Sequence, residues 1–186
     1  MKTISTNSLI GLVLAAGESK RMKTDKAFIT YHQIPQYLHA ANMLNEICFR
    51  TIINGKSFDY NNQFEVIVDD KRFRNVGPIG GVLTANQLFP DASIFVLGVD
   101  YPFLKQETLL NLYQSFVSSQ RSVCFKHPVS QLIEPLIAIY HQSDLNGLRD
   151  FFDSGQTSLR HFLSQMNPLI LETASASELT SVDEPL

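Results

Sequence analysis

The chain has 186 residues, a hydrophobic fraction of 44% and a formal net charge of −3. This length fits one domain with a single sizeable core, and the hydrophobic fraction argues against wholesale disorder. The slight acidic excess argues against a general nucleic-acid-binding protein, and no apolar run is long enough to cross a bilayer.

The predicted strands and helices alternate along the chain. Short apolar or β-branched runs predict strands over residues 8–16, 51–54, 64–68, 93–99, 122–125, 136–140 and 168–171. Helical spacing predicts helices over residues 35–48, 79–89, 106–119, 143–153 and 158–166. This order favours a mainly parallel sheet with helices on both faces, a Rossmann-like three-layer α/β sandwich. No linker divides the chain, so we expect one domain over residues 1–186, with a partly disordered tail over residues 173–186.

The two cysteines and the N-terminus indicate the compartment. Cys48 and Cys124 lack the spacing of a metal site, and we expect them to be free buried thiols in a reducing environment. Residues 1–8 are polar and carry no signal-peptide pattern. We therefore expect a cytoplasmic protein with no membrane partner.

The first candidate site is the loop in "LVLAAGESKRMKTDKA", residues 12–27. It leaves the first strand at its carboxyl end, where open α/β sheets bind ligands. Its small residues allow backbone N–H groups to approach a phosphate, and Arg21 and Lys26 can neutralise a polyphosphate. The alternative is a solvated loop whose charges only maintain solubility.

Two further loops are expected at the same sheet edge. Asp100 in "FVLGVDYPFL" directly follows a buried strand and is suited to hold Mg²⁺ together with substrate phosphates, or else to cap the next helix. In "VGPIGGVLTA", residues 76–85, Gly77, Gly80 and Gly81 leave room for a flat base or ribose. Those glycines also fit a tight turn with close helix–sheet packing. Three complementary loops at one edge favour a nucleotide site.

These motifs, in this order and spacing, resemble the MobA-like nucleotidyltransferases, and among them the molybdenum cofactor guanylyltransferases. The segments "EPLIAIY" and "TSLRHFL", residues 134–140 and 157–163, are similar to later parts of the same pattern. The resemblance implies a nucleotidyltransferase-type fold and Mg²⁺-dependent transfer of GMP from GTP to a molybdopterin-type acceptor, with release of pyrophosphate. It also implies transient contacts with other proteins of cofactor biosynthesis.

The resemblance also assigns individual residues. Arg21, Lys26 and Asp100 would be catalytic, with Asp100 as the metal ligand. The nucleotide-binding residues it implies are Leu14, Ala15, Ala16, Gly17, Lys26, Asn54, Asp69, Gly77, Gly81 and Asp100.

The chain departs from the family pattern at several positions. Ala16 and Lys23 replace glycines of the first loop, which alters the room and flexibility there. In the C-terminal "SVDEPL", Ser181 and Asp183 stand in place of asparagines expected to contact the pterin. An added carboxylate beside a phosphate acceptor would repel it, so the acceptor is less well defined than the nucleotide.

Other functions fit parts of the pattern. The same fold could use CTP instead of GTP, or join the nucleotide to another phosphorylated acceptor. A non-catalytic nucleotide-binding module would keep the glycine-rich loop without needing Asp100, and a scaffold domain would need none of the three loops.

Overall fold

The computed structural model describes residues 9–17, 26–56, 63–172 and 175–182. Its seven strands are β1 (Leu9–Leu14), β2 (Arg50–Asn54), β3 (Glu65–Ile67), β4 (Ser93–Gly98), β5 (Val123–Lys126), β6 (Ile133–Tyr140) and β7 (Leu169–Glu172). Its α-helices are α1 (Gln36–Asn45), α2 (Pro78–Leu88), α3 (Gln106–Ser119), α4 (Gln142–Leu145), α5 (Leu148–Asp153) and α6 (Leu159–Gln165).

The strands form one sheet in the order β3-β2-β1-β4-β6-β5-β7. Every described pairing is parallel except those of β6, which runs antiparallel to both β4 and β5. Parallel neighbours need a crossover connection, usually a helix, and α1 lies in the connection from β1 to β2, while α2 leads into β4. The predicted mainly parallel α/β fold is confirmed.

Both faces of the sheet are buried. Leu9 and Val13 of β1 pack into the core layer that contains α1 and α3, whereas Ile10, Leu12 and Leu14 pack into the opposite layer with α2, α5 and α6. Successive side chains of a strand point to opposite faces, so a strand that is buried on both sides must be apolar throughout. This explains why the first apolar run has no alternation.

Two elements differ from their sequence-based predictions. The strand predicted at residues 136–140 begins at Ile133 and includes Pro135, next to a register shift opposite Cys124 and Phe125. Proline cannot donate to a sheet ladder, and an irregularity in the pairing accommodates it. The helix predicted at residues 143–153 is divided into α4 and α5 at Gly147, a residue with low helix propensity.

Residues 175–182, which belong to the tail for which we expect partial disorder, are packed against the core. A 3₁₀ turn at Ala176–Leu179 packs there, and Leu179 and Glu178 are buried. Leu179 joins the same core layer as α1 and α3, so apolar burial holds the segment in spite of its polar composition. Residues 173–174 and 183–186 of the predicted tail lie outside the described residues.

None of the helices in the described ranges has the length and apolar character to cross a bilayer. Cys48 and Cys124 are free and buried, as predicted. Burial raises the pKa of Cys124 to about 12 and that of Cys48 further still, so neither thiol ionises near neutral pH.

Candidate functional site

A cavity of about 460 Å³ opens at the carboxyl ends of the parallel strands. Loops that follow β1, β2, β3 and β4 converge there, as expected for an open α/β sheet. Its volume lies within the usual range for small-molecule sites. The lining residues are Leu14, Ala15, Ala16, Gly17, Lys26, Asn54, Asp69, Asn75, Gly77, Pro78, Gly98, Val99, Asp100 and Leu136.

The backbone of the first loop is anchored to the neighbouring strand. The N–H of Ala15 donates to the carbonyl of Asn54 at 2.9 Å, which extends the β1–β2 ladder by one residue. Ala16 and Gly17 then turn into the cavity mouth, where Gly17 is exposed. Small side chains at these positions leave the backbone accessible to a ligand. Arg21 and Lys23, singled out in the sequence, lie outside the described residues.

Lys26 and Asp100 meet at the mouth of the cavity. The Lys26 ammonium lies 3.3 Å from a carboxylate oxygen of Asp100, and both side chains keep some exposure to solvent. Lys26 starts a 3₁₀ turn, whereas Asp100 follows β4, whose end is tied to β1 by the Val99 N–H and the Leu14 carbonyl. The structure therefore places a cation and a carboxylate where both can reach one ligand.

Tyr31 lies outside the cavity lining, and the sequence analysis did not single it out. Burial and the charge of Asp100 raise the pKa of Tyr31, while the charge of Lys26 acts in the opposite direction. The phenol is therefore neutral near pH 7, and it is close enough to Lys26 and Asp100 for their charges to affect its pKa. Lone tyrosines are common in turns, so nothing in the sequence pattern marks this one.

Asn54 and Asp69 form a second polar pair in the cavity lining. The Asn54 side-chain amide donates to a carboxylate oxygen of Asp69 at 2.8 Å. Burial raises the pKa of Asp69, and the Asn54 hydrogen bond and nearby Arg74 partly offset this effect. One amide and one carboxylate together offer acceptors for the hydroxyl and N–H donors of a nucleoside.

The backbone after Asp69 is held by helix α2. The Asp70 N–H donates to the Thr84 hydroxyl at 3.1 Å, and that hydroxyl donates to the Gly80 carbonyl at 2.8 Å. These bonds join the end of β3 to the helix and fix the direction in which Asp69 enters the cavity.

The glycine-rich segment has two different roles. Gly77 lines the cavity at φ +82°, a conformation in which a side chain would be strained, and it precedes Pro78 at the start of α2. Gly81 lies behind the cavity wall. A Cβ at Gly81 would be 2.6 Å from both the Asn54 amide oxygen and a Leu14 methyl group. Gly81 therefore supports the lining residues rather than lining the cavity itself.

Five lining residues were not singled out as site residues in the sequence analysis: Asn75, Pro78, Gly98, Val99 and Leu136. Pro78, Gly98, Val99 and Leu136 lie inside segments quoted in the sequence analysis, and Asn75 directly precedes one of them, so proximity in sequence could have indicated them. Asn75 also has a positive φ of 61°, a conformation that asparagine tolerates better than most residues. Leu136 comes from the antiparallel strand β6, and only the strand order brings it beside Gly98.

A buried hydrogen bond supports the turn that carries Asp100. The Tyr101 hydroxyl donates to Glu134 of β6 at 3.1 Å, and burial and the Glu134 charge raise the pKa of this phenol. The C-terminal segment approaches the same turn, since the Val182 N–H donates to the Asp100 carbonyl at 2.9 Å. Ser181 is exposed beside it, whereas Asp183 lies outside the described residues.

The histidines outside the cavity have structural contacts. The His127 ring accepts from two N–H groups of the β5–β6 turn, and the His141 ring accepts from Ser143 at the start of α4. Over the described ranges, no three His, Cys, Asp or Glu side chains gather as a metal-binding group.

Comparison with known proteins identifies a family. A profile of the MobA-like NTP transferase domain matches residues 11–169, which is most of the chain. A probable molybdenum cofactor guanylyltransferase from Thermococcus sibiricus is 30% identical over 174 residues, covering 90% of this chain and 86% of that protein.

Solved structures share the fold. A molybdopterin-guanine dinucleotide biosynthesis protein A from Archaeoglobus fulgidus superposes with a TM-score of 0.69 at 23% identity, covering 88% of this chain and 83% of that one. A 4-diphosphocytidyl-2C-methyl-D-erythritol synthase from Anaerococcus prevotii gives a TM-score of 0.70 at 9% identity, covering 98% and 93%. At these identities, the likeness establishes the α/β nucleotidyltransferase fold.

Proposed function

The chain belongs to the family of MobA-like NTP transferases, and from this premise we propose that it transfers GMP from GTP to a molybdopterin-type acceptor, with release of pyrophosphate. The observation that carries the proposal is the convergence of Lys26, Asp100, Asn54 and Asp69 on one cavity. The names of curated relatives, including those from Thermococcus sibiricus and Bacillus subtilis, support the guanylyl group and the acceptor.

The cavity lining carries groups that suit both parts of a nucleotide. Asn54 and Asp69 supply hydrogen-bonding groups for the nucleoside, and Lys26 supplies positive charge for the triphosphate. The small residues Ala15, Ala16 and Gly17 also line the cavity, and they leave the backbone accessible to the ligand. Arg21, which we propose as a second triphosphate ligand, lies outside the described residues.

The donor set of the site fits Mg²⁺. Mg²⁺ is commonly bound by one or two carboxylates together with substrate phosphates and water, and Asp100 provides one carboxylate at the cavity mouth with 31% side-chain exposure. Asp100 would hold the ion against the triphosphate. When bound, Mg²⁺ neutralises charge on the phosphates and on the departing pyrophosphate.

The chemistry that the chain must support is an in-line displacement. A phosphate oxygen of the acceptor forms a bond to the α-phosphorus of GTP, and the bond from that phosphorus to the bridging oxygen breaks. Pyrophosphate leaves with the electron pair, and Lys26 stabilises its growing negative charge. The attacking phosphate is already an anion near neutral pH, so no side chain has to remove a proton from it.

We propose that the acceptor binds on the side of the cavity that lies next to the C-terminal segment. Val182 contacts the backbone of Asp100, which puts Ser181 next to the turn that would hold the metal. A serine hydroxyl can hydrogen-bond to a pterin or a phosphate, although with fewer donors than the asparagine of the family pattern.

A direct assay tests the proposal. The purified chain is incubated with Mg²⁺, molybdenum-loaded molybdopterin and, in separate reactions, GTP, CTP or ATP. Pyrophosphate release and the mass of the dinucleotide product are then measured. We expect the guanine dinucleotide from GTP and little product from CTP or ATP. Equal turnover of CTP would contradict the guanine assignment, and no product with any nucleotide would contradict the proposed function.

A further inference from the structure

A closed turn connects the Lys26 segment to helix α1. Thr30 and Pro35 form a β-bridge across this turn, and the Gln36 N–H donates to the Ile29 carbonyl at 2.9 Å. Gln33 at its tip has a φ of +64°, which reverses the chain. His32 is therefore carried by a short closed loop whose base lies four residues after Lys26.

His32 reaches from this loop to the turn that carries Asp100. Its Nε2 atom lies 2.7 Å from the carbonyl oxygen of Pro102, 70 positions away in the sequence. A carbonyl can only accept, so the His32 Nε2–H is the donor. The His32–Pro102 bond and the Lys26–Asp100 ion pair thus connect the same two segments at two points.

The His32 ring is held in orientation by a second imidazole. It stacks on His39 of α1, with ring centroids 3.9 Å apart and planes inclined by 23°. The pair lines an open groove beside Glu46, which directly follows α1, and the ion pair between Lys105 and Glu178. Stacking restricts rotation of the His32 ring and keeps Nε2 directed at Pro102.

Substrate binding would affect the two connections differently. With a metal-bound triphosphate in the cavity, Asp100 would face the metal and Lys26 would face a phosphate, so their direct ion pair would give way. The His32–Pro102 bond lies outside the cavity lining and involves neither the Lys26 ammonium nor the Asp100 carboxylate. It remains available to hold the two segments together when their functional side chains turn to the ligand.

We propose that His32 is a positioning residue for nucleotidyl transfer, because its hydrogen bond to Pro102 sets the separation between the Lys26 segment and the Asp100 turn. The proposal rests on the proposed function for its kinetic consequence. Its structural consequence, a coupling between the two segments, does not depend on that function.

Three variants test the role of His32. His32→Ala removes the donor, His32→Gln retains an amide N–H at a similar reach, and His39→Phe keeps an aromatic ring for stacking. Because small misplacements of reacting groups reduce turnover, we expect His32→Ala to lower kcat about tenfold with the KM for GTP nearly unchanged. His32→Gln should recover most of this loss, and His39→Phe should keep near-normal kcat at pH 8.

Hydrogen exchange of the nucleotide-free protein provides a readout that needs no turnover. His32→Ala should speed exchange in residues 26–35 and 99–105 together, whereas His32→Gln should not. Wild-type kcat in His32→Ala, or equal losses in folded Ala and Gln variants, would overturn the positioning role. Should the wild-type chain transfer no nucleotide, the proposed function fails, and unchanged exchange in both segments would separately overturn the coupling.

Discussion

The Lys26 ammonium and the Asp100 carboxylate lie 3.3 Å apart, although 74 positions separate them in the sequence. Lys26 reaches this point from the loop after β1, and Asp100 follows β4, the parallel neighbour of β1. Parallel pairing brings the carboxyl ends of both strands to one edge, so the two side chains share one cavity.

Asp100→Asn should abolish Mg²⁺-dependent turnover without unfolding the protein. The amide keeps the shape of the side chain but removes the negative charge that would anchor the metal. We expect pyrophosphate release from GTP to fall by about 100-fold or more. The melting temperature should change little, because a partly exposed ion pair adds little stability. Asp91→Asn, at an exposed position before β4, is the matched control. Normal turnover in Asp100→Asn would exclude a role for this carboxylate in metal binding.

Lys26→Ala should weaken binding of the triphosphate and spare binding of the nucleoside. A charge-assisted hydrogen bond contributes about 1.5–3 kcal/mol, so the Kd for GTP should rise roughly 10- to 100-fold. Calorimetry with GTP and with guanosine measures the two effects separately. Lys71→Ala is the control, since Lys71 is exposed and does not line the cavity. Equal losses for GTP and guanosine would show that Lys26 does not act on the phosphates.

Gly81→Ala should displace residues of the cavity wall, because Gly81 packs against their outer side. The added methyl group would lie 2.6 Å from the Asn54 amide oxygen, so Asn54 or helix α2 must move. Overpacking of this kind costs about 1–3 kcal/mol of unfolding free energy. We expect urea denaturation to show this loss, together with weaker GTP binding.

Gly147→Ala is the matched control for Gly81→Ala. Its new methyl group would meet only the Asp144 carbonyl at 3.7 Å, which is ordinary van der Waals contact. Its φ of −86° suits any residue. The packing role assigned to Gly81 is contradicted if the two alanine variants have the same stability and GTP affinity.

Stability should decrease at mildly acidic pH because of His39. Burial, and secondarily the charge of His32, lower the pKa of His39 below its ordinary value of about 6.5. Between the two pKa values the unfolded chain binds a proton that the folded chain does not, so the free energy of unfolding falls as the pH drops. The contribution is complete above pH 6.5 and is lost as the pH falls through the lowered pKa.

His39→Phe should remove this part of the pH dependence. Urea denaturation at intervals from pH 5 to pH 8 measures the unfolding free energy of both proteins. The difference between them should change below pH 6.5 and stay constant above it. Parallel curves over the whole range would show that His39 does not titrate differently in the folded state.

Local sequence patterns were enough to predict the fold class, and together with the family resemblance they indicated most of the residues that line the cavity. Continuous apolar runs such as the one in β1 predict strands that are buried on both faces, and helical spacing between them predicts crossovers. The strands then bring their following loops to one edge, so Ala15 and Asp100 could be assigned to one site from the pattern, whereas Asn54 and Asp69 were assigned only by the resemblance to a known family. The apolar runs and the helical spacing are local properties, since each depends only on residues that are close together in the chain.

The pairs of side chains that meet across the chain could be identified only in the folded protein. The positions of Leu136 beside Gly98 and of Val182 beside Asp100 depend on strand order and on how the C-terminal segment packs. The contact between His32 and Pro102 depends on the turn at residues 30–35 and on stacking with His39. Such contacts join residues that are distant in the chain, and no periodicity or spacing encodes them, because they arise from the packing of whole elements.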